Sequence, residues 1–174
     1  ILAPKQSVRV QAIRGGRADI EFRSFPPKSR DDLVAALGDG ITVQESTWNC
    51  NLTVSLNHNF EPFKDARVRK ALTLAIDRWG GSQYLSQIAI MRTVGGILYP
   101  QHPYARSKEE LEKMPGYWPD IEASRAEAKR LLKEAGYENL SFDLVNRNVD
   151  QPYKIAGTWL IGEWKKLSLI HISE

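Results

Sequence analysis

Residues 62–78 read PFKDARVRKALTLAIDR. Within them Val68, Ala71, Leu72, Ala75 and Ile76 recur at i, i+3, i+4, i+7 and i+8, the spacing of one face of an α-helix. Asp65 stands ahead of that run as an N-cap. The stretch also carries five basic residues, Lys64, Arg67, Arg69, Lys70 and Arg78. A helix that reads nucleic acid concentrates such charges on an exposed face, with polar groups to meet base edges. Here Arg67, Lys70 and Arg78 fall off the apolar stripe, with Asp65 and Asp77 among them. That pattern reads as the solvated face of a scaffold helix.

Outward from this helix the chain is mixed α/β in its patterning. On the N-terminal side, residues 8–13 and 18–22 read as short strands around a turn at Gly15 and Gly16. SRDDLVAALGDG reads as a short helix capped by Ser29, with Leu33, Val34 and Leu37 inward. ITVQES and LTVSLNH alternate with period two and read as strands. The polar, aromatic TWNCN lies between them.

On the C-terminal side, a helix is expected to restart after Gly80 and Gly81 with Ser82 as its cap, turning Leu85, Ile88 and Ala89 inward. Residues 93–120 hold four prolines and three glycines, which prevent long regular structure apart from a turn of helix at SKEELEKM. Long connections of this kind are often functional. DIEASRAEAKRLLKEAGY is the clearest helix. Asp120 caps it, Ser124, Ala128, Leu131, Leu132 and Ala135 form its face, and Gly136 stops it. LSFDLVN reads as a strand. DQPYKIAGTWLIGEWKK reads as a last helix with Asp150 as cap and Pro152 in its first turn.

The composition is that of a globular protein: 174 residues, 42% hydrophobic and 26% charged, with net charge +3. So small a basic excess, interspersed with acids, does not argue for nucleic acid or anionic lipid. Cys50 is the single cysteine and cannot form an internal disulfide. No apolar run reaches the roughly 18 residues of a membrane span. The chain begins at Ile1 with no visible signal peptide. His58, His102 and His171 lack the spacing of a metal site, so no metal and no cofactor are expected. There is no dinucleotide or P-loop glycine pattern and no nucleophile elbow, so an enzyme is not expected. Trp48, Tyr99, Tyr104, Tyr117 and Trp118 lie in loops or at strand ends. Such side chains either plug a loop onto the core or line a ligand cleft.

NFEPFKDARVRKALTLAIDR resembles the signature region of the family 5 solute-binding proteins of ABC importers, the peptide/nickel type of cluster C. The matching residues are Asn57, Pro62, Phe63, Asp65, Arg67, Val68, Arg69, Ala71, Leu72, Ala75, Ile76, Asp77 and Arg78. GRADI, PGYWPDIEASRAEAKRLLKEAGY and IGEWKKL resemble further family segments in the same order. The resemblance covers about residues 15–166. It implies a periplasmic-binding-protein-like fold (type II), a mixed sheet with flanking helices. Residues 1–166 would form an internal fragment of a two-lobed, non-catalytic protein. Such a protein closes over a solute and delivers it to ABC permease subunits in the membrane, with no nucleic-acid partner.

The implied solute is an oligopeptide or dipeptide; a metal chelate, haem or sugar is the alternative on the same fold. The implied location is periplasmic, or lipid-anchored outside the cytoplasmic membrane. The implied cleft positions are Trp48, Asn49, Gly96, Tyr99, Tyr104 and Arg147. The final residues, LSLIHISE, resemble translated sequencing adapter, so residues 167–174 are expected to be a non-native tail, and His171 is set aside.

Overall fold

The computed structural model describes residues 3, 5–22, 24–45, 51–91 and 93–167, together with the backbone of 172–173. The helix expected over residues 62–78 is two helices. α3 (Glu61–Lys64) begins with Pro62 in its first turn, and α4 (Ala66–Leu74) follows after Asp65. Asp65 has extended backbone, and its carboxylate accepts from the Arg67 amide at 2.8 Å, so the cap that starts α4 also separates it from α3. Arg69 Nη1 donates to the carbonyls of Phe63 and Lys64 at 2.7 and 2.8 Å. It thereby satisfies oxygens that the end of a short helix leaves open.

The apolar stripe is as read: Val68, Ala71, Leu72 and Ala75 are buried, and Ile76 is half-buried. They pack on α7 (Ile121–Ala135), which Asp120 caps through the Ala123 amide at 3.0 Å. Gly136 ends α7 with φ +76°, the left-handed conformation that terminates helices at least cost in glycine. Ser124, Ala128, Leu131 and Leu132 are buried along α7, and Ser124 Oγ donates to Leu74 O at 2.7 Å. α8 (Ile155–Lys165) closes the core. Trp164 is 2% exposed, and its indole Nε1 donates to Leu72 O at 3.0 Å. Phe142 joins Phe63 and Trp164 edge-on, with ring centroids 5.2 and 5.4 Å apart. Leu167, first residue of the tail set aside above, is also buried in this cluster.

Several expectations are corrected. Residues 8–13 belong to a helix, α1 (Gln6–Arg14), and residues 18–22 form no strand. VRVQAI satisfies a period of two, but so short a run fixes no period, and the continuous helix from Gln6 buries Ala12. α2 (Pro27–Leu37) starts two residues before the expected cap, because Pro27 is suited to the first helical position. Ser29 instead accepts from Gln6 Nε2 at 2.8 Å and ties α2 to α1. A short 3₁₀ turn, Gly38–Gly40, follows α2.

The segments read as strands, ITVQES and LTVSLNH, have no ladder partner among the described residues. There the one sheet is the parallel pair of β1 (Phe142–Asp143) with β2 (Ile172–Ser173). The expected mixed sheet is therefore not seen in the described residues, which are mostly helical. A strand is only as regular as the partner that accepts its hydrogen bonds.

α5 (Arg78–Ile88) begins before its two glycines, not after them. Asp77, not Ser82, is the cap, accepting from Gly80 N at 2.8 Å. A Cβ at Gly80 would lie 2.2 Å from the Asp77 carboxylate, and one at Gly81 would lie 2.1 Å from the Trp159 ring of α8. The glycines give clearance rather than a break. The last helix also starts later than expected: Asp150–Lys154 is a wide turn with Gln151 in extended conformation, and α8 begins at Ile155.

Candidate functional site

The connection after α5 is a loop held down at one end and bare at the other. Around α6 (Lys108–Leu111) it is anchored by Ser107 and Glu110, which form a reciprocal capping box. Leu111 is buried. Arg78, expected to face water, turns inward instead. Its Nη1 donates to Gly116 O at 2.6 Å and Thr73 O at 3.0 Å, and Nη2 donates to Thr73 Oγ1 at 2.9 Å. Its guanidinium lies 4.7 Å from the centroid of the Tyr117 ring. Burial pushes the Arg78 pKa down, with Tyr117 opposing, yet a guanidinium keeps its charge. Gly116 adopts φ +87°, and a Cβ there would sit 2.6 Å from Arg78 Nη1.

Tyr117 carries the attachment further. Its hydroxyl donates to Gly95 O at 3.0 Å, and its own carbonyl accepts from Trp79 Nε1 at 2.8 Å. Trp118 packs against the core. These two loop aromatics therefore hold the loop onto the helical body. Tyr104 does not: it is 86% exposed, and the aliphatic Ile97 is 89% exposed. Leu98 is also exposed. Tyr99 is half-buried and meets the His102 ring edge-on at 5.5 Å. The Tyr104 ring lies 5.7 Å from His102, whose Nδ1 accepts from the Tyr104 amide at 3.1 Å. His102 is thus occupied in shaping the loop.

Of the expected cleft residues, Gly96, Tyr99 and Tyr104 share this loop. Trp48 and Asn49 lie outside the described residues. Asn51, two positions after Asn49, donates through Nδ2 to Ile97 O at 2.5 Å, which brings the segment after TWNC onto the loop. Arg147 is exposed and elsewhere engaged: Nη1 donates to Tyr153 Oη at 3.0 Å, with its guanidinium 4.5 Å from that ring's centroid. None of its bonds reaches the loop.

Two concavities contain none of these residues. One of about 470 Å³ opens between α5 and α8, beside Tyr84, Ile88, Lys154 and Trp159. Another of about 330 Å³ lies beside Phe60, Pro62 and Tyr137. Among the described residues no three His, Cys, Asp or Glu side chains gather as a metal site. No helix there is long and apolar enough to cross a membrane. Nothing in the sequence pattern signals the roles of Arg78 and Tyr117, which meet only in the fold.

The family model described as bacterial extracellular solute-binding proteins, family 5 (middle), matches residues 2–171. The chain belongs to this family. Family membership carries a periplasmic-binding-protein-like fold. Among curated relatives, the chain is 28% identical to "Periplasmic oligopeptide-binding protein OppA" of Salmonella typhimurium, over 90% of this chain and 28% of that protein. It is 37% identical to "Probable deoxycholate-binding periplasmic protein YgiS" of Escherichia coli, over 63% of this chain and 20% of that protein. It is 27% identical to "Probable di/tripeptide-binding protein 5" of Pseudomonas aeruginosa, over 71% of this chain and 22% of that protein. The chain thus spans well under a third of the length of these family relatives. No solved structure gives a significant match.

Proposed function

We propose that this chain is part of an extracytoplasmic solute receptor that binds oligopeptides or dipeptides and presents them to the membrane permease of an ABC importer. The observation that carries the reading is the family match across nearly the whole chain, joined by two relatives named for peptide binding. The protein works by binding and release, without covalent chemistry, in the periplasm or anchored outside the cytoplasmic membrane. The finer architecture proposed is the two-lobed, type II form, with the ITVQES and LTVSLNH segments completing a mixed sheet in the whole protein.

The solute-facing residues proposed are Trp48, Asn49, Gly96, Tyr99, Tyr104 and Arg147. The exposed Ile97 and Tyr104 support the loop's part in this, since Ile97 offers apolar area and Tyr104 an apolar ring with a polar tip. Arg147 offers a planar fork suited to a carboxylate, the group every free peptide carries.

Titration of the full-length protein with dipeptides, tripeptides and pentapeptides tests the reading. Peptide at about 100 times its Kd is expected to stabilise the fold by about 2.7 kcal/mol, seen as a rise in Tm with a change in Trp fluorescence. Peptides that leave both signals unchanged while deoxycholate moves them would replace the peptide with a bile-acid-like solute.

A further inference from the structure

We infer that Arg78 and Tyr117 are positioning residues for the solute site: together they fix the backbone at Gly95, and with it the side chains that residues 96–104 offer to the ligand. The inference rests on the reading of that loop as solute-facing.

Its physical basis is a continuous relay. Arg78 stands at the start of α5, and its fork reaches two backbone carbonyls and a hydroxyl at once. One of those carbonyls, Thr73 O, belongs to α4 in the packed body. The other, Gly116 O, belongs to the returning end of the loop, where the absent Cβ admits the guanidinium. The same cation covers the face of Tyr117. Trp79 holds the Tyr117 carbonyl. With its ring clamped between neighbours in this way, Tyr117 aims its hydroxyl at Gly95 O. Next along the chain stand Gly96, then Ile97, whose carbonyl Asn51 holds.

The loop's own turns, from His102 N to Tyr99 O and from Ala105 N to His102 O, are internal and do not tie it to the body. Gly95 is therefore the point at which the helical body sets the height of residues 96–104. A loop ordered before the ligand arrives loses less freedom on binding. If only a fraction of molecules holds the competent loop, the apparent affinity falls by that fraction.

Two variants of the full-length protein separate this role from general support of the fold. Tyr117→Phe removes the one bond to Gly95 and leaves the ring beneath Arg78. Arg78→Lys keeps the charge and loses the fork. Hydrogen exchange of amides 95–104 is measured without ligand, and affinity is measured with trialanine and pentaalanine as probes. Tyr117→Phe is expected to speed exchange in 95–104 while the α4 and α7 amides keep their protection. It is expected to weaken the probe that binds by about threefold to tenfold, the range set by one lost hydrogen bond. Arg78→Lys is expected to do the same to a greater degree.

Unchanged exchange in both variants overturns the inference, because the relay then holds nothing. Faster exchange with wild-type affinity also overturns it, and leaves the solute reading standing. A wild-type protein that binds neither probe instead sinks the peptide reading itself, and the inference with it.

Discussion

Arg67 and Arg78 sit where a helical wheel sends them to solvent, yet they and Arg69 each end on a backbone carbonyl. Arg67 reaches Glu134 O at 2.9 Å, near the end of α7, and Arg69 closes α3. A wheel fixes the direction in which a side chain leaves its helix. It does not fix where a long, flexible stem delivers its head. The apolar stripe was legible because Val and Leu act near their own Cβ, whereas Arg67 and Arg78 reach carbonyls distant in sequence and Arg69 reaches past its own helix. Glu163 was illegible for the same reason. It is 4% exposed and accepts from Asp77 N at 2.8 Å, from Arg125 Nη2 at 3.0 Å and from Lys166 Nζ at 2.6 Å. One carboxylate thus joins the starts of α5 and α7 to α8. Glu163→Ala leaves the largely buried Arg125 charge with fewer partners, and is expected to cost about 3–5 kcal/mol in urea unfolding. Glu163→Gln, which keeps an acceptor oxygen, is expected to lose clearly less. Equal losses from the two would mean that the negative charge, which Gln also lacks, is the whole of what Glu163 contributes, and packing none of it.

At the scale of elements, α4 and α7 were readable because every local signal agrees: cap, stripe and, for α7, a terminal glycine. In α5 local pattern treats Gly80 and Gly81 as a break, whereas their purpose lies in clearance for the Asp77 carboxylate and the Trp159 ring. Gly81→Ala places a methyl against that ring. The overpacking is expected to cost about 1–3 kcal/mol and to change the tryptophan emission. A variant as stable as the parent would show that α5 and α8 can separate freely.

The start of α4 makes a prediction with pH. The Asp65 carboxyl is held below its ordinary value, first by the side-chain hydrogen bond from Arg67 and then by the Arg67 amide. A lowered carboxyl pKa means that the unfolded chain binds the proton more readily. Its stabilisation is therefore complete above the ordinary value, near pH 4, and fades as pH falls through the lowered one. Asp65→Asn is expected to flatten that part of the acid limb of a stability–pH curve and to leave the neutral-to-alkaline shape unchanged. An acid limb identical to the parent's would remove Asp65 from the balance.

Across the whole molecule, the family was legible while the sheet was not, because a signature is local and a ladder needs a partner from far along the chain. Leu52 and Val54 alternate as a strand should, yet both are exposed, at 41% and 44%. Ile20, Phe22, Ile97 and Val145 are more exposed still. Extended backbone with open hydrogen-bonding groups and apolar side chains recruits other chains. The 174-residue chain on its own is therefore expected to bind a hydrophobic dye and to self-associate as its concentration rises, followed by light scattering. Charge on an open edge suppresses such pairing. The double variant Leu52→Lys, Val54→Lys is accordingly expected to shift the chain toward monomer without altering the cooperative unfolding of the α4–α7–α8 core. If the association comes instead from the exposed residues elsewhere, the variant scatters like its parent. If the chain stays monomeric and binds no dye at any concentration, these apolar segments are satisfied within it, and the open-edge account of residues 51–57 fails.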